Sequence, residues 1–77
     1  MAYARRAMFT GKIVRYFRQA GYGFIRIDGN PREAHFHVDD FDHVGPDELK
    51  TGDRIFCFLE DAKRGLKAIR IIRDGSQ

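Results

Sequence analysis

Five short runs rich in β-branched and aromatic residues, set off by Gly, Pro, Asn and Asp, account for about half of this chain. They are residues 9–18 (FTGKIVRYFR), 22–28 (YGFIRID), 34–38 (AHFHV), 53–60 (DRIFCFLE) and 66–73 (LKAIRIIR). Branching at Cβ and ring side chains favour extended backbone, while the punctuating residues favour turns. No segment carries an apolar stripe of helical period over a helical length. The longest gap, from Asp39 to Gly52, contains Gly45-Pro46 and predicts a short 3₁₀ turn ahead of Leu49.

Strand periodicity assigns the faces. Tyr22 and Phe24 share one side of the second run, opposite Gly23 and Ile25. His35 and His37 share one side of the third, opposite Ala34, Phe36 and Val38. In the fourth, Ile55, Cys57 and Leu59 alternate with Arg54, Phe56 and Phe58. Five short strands with a long connection after the third predict an all-β fold, a five-stranded antiparallel Greek-key β-barrel of OB type. The expected organisation is an N-terminal arm over residues 1–8, the barrel over 9–73 and a tail over 74–77. Neither end carries a core-forming pattern, so neither need be ordered.

At 77 residues the chain makes one domain, near the lower limit for a core that folds without staples. Its one cysteine, Cys57, excludes an internal disulfide and a Cys-based zinc site. A domain without such staples suits a reducing, cytoplasmic setting. Residues 1–7 hold two arginines but lead into no apolar stretch of the signal-peptide kind. No run approaches the roughly 18 apolar residues of a membrane span, so no membrane partner is expected.

The formal net charge is only +3, but its distribution is uneven. Between Arg5 and Arg32 stand seven basic residues and one acid, Asp28; between Glu33 and Asp53 stand seven acids and one base, Lys50. A basic half suits a polyanion, and the acidic connector would screen one edge of the barrel from it.

The segment Gly21-Tyr22-Gly23-Phe24-Ile25 sets two aromatics on one strand face, with glycines that let bases and backbone come close. If the next strand pairs with it, His35 and His37 join Tyr22 and Phe24 in a flat platform. Every base has a π-face, so such a platform stacks unpaired bases with little sequence preference, at about 1–3 kcal/mol per base. Lys12, Arg15, Arg18, Arg26 and Arg32 would follow the phosphates. The expected partner is therefore single-stranded RNA or DNA.

These residues resemble the bacterial cold-shock proteins and the related Y-box domains. GYGFI at 21–25 is similar to the first ribonucleoprotein motif of that family, K-G-[FY]-G-F-I, and EAHFH at 33–37 to the second, D-V-F-V-H. Gly11-Lys12-Ile13 resembles the family's G-x-V opening, ten residues ahead of Gly21. Leu49-Lys50-Thr51-Gly52-Asp53 resembles its L-x-x-G-[QD] turn and Gly65-Leu66-Lys67-Ala68 its G-x-x-A close. The likeness runs from about Phe9 to Ile72 in compatible order. It implies an OB-fold cold-shock domain that binds single-stranded RNA and DNA and acts as an RNA chaperone.

The resemblance implies stacking roles for Tyr22, Phe24 and His37. His35 stands where the family usually has Phe, Ala20 where it has a phosphate-binding Lys, and Glu33 and Asp39 where it has Asp and Ser. A gapless alignment puts Arg15 at a stacking Trp and Tyr16 at the following Phe; a shift by one puts Tyr16 on the Trp. The gapless form is preferred, because a guanidinium also stacks on a base, and both residues stay candidates. With no aromatic in residues 42–48, weaker or shorter-footprint binding than the family norm is expected.

Other readings are open to the same residues. His35, His37 and His43 meet the ligand count for zinc, but His43 lies across an acidic stretch, so no metal or other cofactor is expected. Cys57 lacks a neighbouring base, and no paired carboxylates or phosphate-cradling loop occur, so the chain does not read as an enzyme. Phe56 and Phe58 are expected on the outer face of their strand. Tyr3 and Met8 of the arm would cover them, or they would serve an OB-like protein-interaction or dimerisation module, the alternative to nucleic-acid binding. A monomer or weak homodimer is expected.

Overall fold

The structure, a computed structural model, describes residues 7–75. Its strands are β1 (Phe9–Phe17), β2 (Tyr22–Ile27), β3 (Glu33–His37), β4 (Arg54–Ala62) and β5 (Gly65–Arg73), one for each predicted run. They close into an all-β, OB-like barrel in the order β1-β2-β3-β5-β4, with β4 returning to β1. One pairing departs from the expected antiparallel sheet: β3 and β5 run parallel, with His35 opposite Lys67. The direction follows from the connectivity. β2 reverses β1 and β3 reverses β2, while β4 is antiparallel to β1, so the β4–β5 hairpin brings β5 back in the sense of β3.

Alternation builds the core as the sequence suggests. Ile13, Ile25, Ile27, Ala34, Phe36, Ile55, Cys57, Ala68 and Ile71 point inward and are buried, and Leu49 joins them from the long connection. Gly23 belongs to this inner face. A Cβ there would meet the Phe36 ring at 2.7 Å and crowd the Arg15 carbonyl. Of the approach by bases and backbone expected at the glycines, Gly23 admits the backbone, as the Arg15 carbonyl, while the rest of its space is filled from inside by Phe36 and not by a base.

Two bulges interrupt the alternation. In β1 the register shifts between Ile13 and Arg15, leaving Val14 as the extra residue. In β5, Arg70 adopts φ 51°, and the pairing moves from Phe58↔Ile69 to Phe56↔Ile72 around it. The 3₁₀ turn lies at Val38–Asp40, directly after β3, not ahead of Leu49. His37 fixes it there: its Nδ1 accepts the Asp39 N–H at 3.1 Å, and its own N–H donates to Asp40 Oδ2 at 3.0 Å. Ahead of Leu49 there is instead a tight turn in which Glu48 N–H donates to the Gly45 carbonyl at 3.0 Å.

At the far end of the β1–β2 pair, Asp28 ties three strands together. Thr10 Oγ1 donates to Asp28 Oδ2 at 2.6 Å, and the Arg54 guanidinium binds both carboxylate oxygens. The hydrogen bonds from Arg54 and then from Thr10 hold the Asp28 carboxyl down at about 2, below its ordinary 3.8.

The first residue of the expected tail, Asp74, packs on the barrel. It is buried and its N–H donates to the Arg54 carbonyl at 3.0 Å. Phe56, cross-strand from Thr10 and Ile72, and Phe58, cross-strand from Ile69, are half-buried rather than bare. Most of the expected arm, with its candidate cover Tyr3, and the last two residues of the tail lie outside the described residues.

Candidate nucleic-acid interface

The outward faces of β1, β2 and β3 form a grid of three rows by three strands. Phe17, Tyr22 and His37 are cross-strand partners in the first row, Arg15, Phe24 and His35 in the second, and Lys12, Arg26 and Glu33 in the third. Tyr22 and Phe24 stand in a T-shaped pair 6.2 Å apart, and the Phe17 ring lies 5.2 Å from Tyr22. Phe17 and Tyr22 are 46 % and 43 % exposed, so adjacent ring surface is open on this face.

The second row is partly closed by its own cation. The Arg15 guanidinium lies over the Phe24 ring at 4.5 Å, and Arg15 Nη2 donates to Glu33 Oε1 at 2.7 Å. Glu33 Oε2 accepts from Arg26 Nη2 at 3.3 Å. One carboxylate thus faces two guanidinium groups of the grid.

Beside Phe24 the parallel β3–β5 closure opens a depression of about 650 Å³, lined by Tyr22, Phe24, His35, Phe36, His37, Arg64 and Lys67. Phe36 forms its floor from the core side. Lys67 Nζ stands 3.7 Å from Asp40 Oδ1, so the capping carboxylate that fixes His37 also holds this cation at the rim. Because His37 Nδ1 accepts a backbone N–H, the ring's remaining nitrogen, Nε2, is free to donate outward.

The predicted residues divide by face. Arg15, Tyr22, Phe24, His35 and His37 come together as expected, and Lys12 stands at the grid's edge, two rows from Tyr22. Tyr16 does not join them. Its ring packs inward, edge-on to Phe36 at 5.5 Å and to Phe41 at 5.9 Å, and its Oη donates to the Pro46 carbonyl at 2.7 Å. Burial pushes its hydroxyl pKa up. Arg18 follows Tyr16, with its guanidinium 5.6 Å from that ring and Nη2 donating to the Leu49 carbonyl at 3.1 Å. It ties the long connection to β1. Arg32 leans toward Asp61 at 3.9 Å.

Three members of the site escaped the sequence reading: Phe17, Arg64 and Lys67. Phe17 is aromatic and next to the β1–β2 turn, yet only the bulge at Val14 turns it outward. Lys67 was within reach of the sequence, since a closed barrel with this connectivity must set β5 beside β3.

Among the described residues no group of three or more His, Cys, Asp or Glu side chains could hold a metal ion. Burial pushes the Cys57 thiol up to about 11, which makes it a packing residue and a poor nucleophile. Among the described residues no helix is long and apolar enough to cross a membrane. No protein-family model matches this chain, and no curated protein matches it either.

Proposed function

We propose that this protein binds single-stranded RNA or DNA on the outer face of β1, β2 and β3, as a cold-shock-type domain and RNA chaperone. The observation that carries the reading is the grid itself. Two half-exposed rings, two imidazoles and a guanidinium over a third ring share one sheet face, with Arg64 and Lys67 at the rim. Unpaired bases stack on Phe17, Tyr22 and Phe24 while the basic rim meets their phosphates. A duplex keeps its base faces inside the stack, so this surface favours single strands and holds melted segments open, with neither metal nor nucleotide hydrolysis. A monomer or weak homodimer in a reducing cytoplasm completes this reading, for a domain with a single cysteine and so no internal disulfide.

Fluorescence polarisation with labelled single-stranded DNA, single-stranded RNA and duplex tests the reading. Single strands should bind at least about tenfold more tightly than duplex, and Tyr22→Ala with Phe24→Ala should weaken binding by about 2–6 kcal/mol. Full binding by the folded double variant would refute it.

A further inference from the structure

The binding face carries its own competing anion. Glu33 spends one carboxylate oxygen on Arg15 at 2.7 Å and the other on Arg26 at 3.3 Å, and is 28 % exposed against 53 % and 64 % for the two guanidinium side chains. It therefore offsets two cations that a phosphate backbone would otherwise meet. It also fixes Arg15 where the guanidinium covers Phe24. The first row differs, because Phe17 and Tyr22 present open ring surface.

Resting on the single-strand reading above, we infer that Glu33 is a positioning residue that holds Arg15 as a clasp over Phe24, and that a strand's phosphate releases the clasp. A phosphate oxygen pair suits the planar fork of Arg15 as well as the Glu33 carboxylate does, so the exchange swaps one anion for another. The first base then lands on the Phe17–Tyr22 row. Its neighbouring phosphate draws Arg15 away from Glu33, and the next base takes the uncovered Phe24 ring. The clasp makes the second stack conditional on a phosphodiester, and so selects polymer over free nucleosides. Because Glu33 also repels phosphate, the affinity of the native protein is held below what its cations could deliver.

The test compares the native protein with Glu33→Gln, an isosteric change on a half-buried side chain, using a labelled single-stranded heptathymidylate over a salt series. Glu33→Gln should bind about fivefold or more tightly at low salt. Its log K against log[salt] slope should steepen by up to about 1.4, two added phosphate contacts at roughly 0.7 each. Asp47→Asn is the charge control: Asp47 is 87 % exposed and reaches Arg18 at 3.9 Å, outside the grid. It should change affinity less than about twofold. Glu33→Asp, which keeps the charge but shortens the reach to Arg15, should gain a smaller factor and serves if the glutamine variant does not fold. Binding by native protein with no gain in Glu33→Gln or Glu33→Asp overturns the clasp alone, as does an equal gain from Asp47→Asn. No binding by native protein or by either Glu33 variant overturns the single-strand reading and the clasp together.

Discussion

At Tyr16 and Phe17 two neighbouring rings go to opposite sides of the sheet, Tyr16 against Phe36 and Phe41 and Phe17 against Tyr22 on the outer face. Unbroken alternation from buried Ile13 would send Arg15 and Phe17 inward and Tyr16 outward. The extra residue Val14 reverses all three, and nothing in the local residue types announces it. Phe17→Ala should therefore cost about 1–3 kcal/mol in single-strand binding and leave the unfolding transition within a few degrees. Tyr16→Ala should destabilise the fold by about 1–3 kcal/mol, less than a fully buried ring would, and affect binding mainly through that loss. Oligonucleotide titration and thermal unfolding of the two variants separate the roles. The reverse pattern would mean that Tyr16 is the stacking ring.

On the scale of the strands, what could be read from sequence was whatever depends on unbroken alternation. The outward pairs Tyr22/Phe24 and His35/His37 follow from period two alone, as do the buried Ile25, Ala34 and Phe36. Contacts set by long-range closure were less accessible: Tyr16 under the 46–49 segment, and Asp28 bound to Arg54 of β4. The Asp28 cluster has a measurable consequence. Its carboxyl titrates lower in the folded chain, at about 2, than its ordinary 3.8, so the stabilisation is complete above the higher value and is lost as pH falls through the lower one. Asp28→Asn should flatten the acid dependence of the unfolding temperature between about pH 4 and pH 2 and lower stability at neutral pH. An acid limb unchanged in the variant would assign it to other carboxylates.

Across the molecule, the acidic connector seen in the sequence pairs with one cation of the basic half, Arg18, and with three cations of β5. Arg18 meets Asp47, Lys67 meets Asp40, Arg70 meets Asp42 and Arg73 meets Glu48, each within 4.0 Å. The acids of the connector thus hold it against the barrel and partly offset basic residues that composition alone would assign to a polyanion. What stays available is local: the grid, with its clasp and the rim cations. Single-strand binding on the grid is tested most directly by a backbone amide NMR titration of the ¹⁵N-labelled protein with a short oligothymidylate. Binding on the grid should place the largest shift changes on residues 15–17, 22–24 and 35–37 and at Arg64 and Lys67. Changes centred on Phe56 and Phe58 of β4, or none at saturating oligonucleotide, would contradict it.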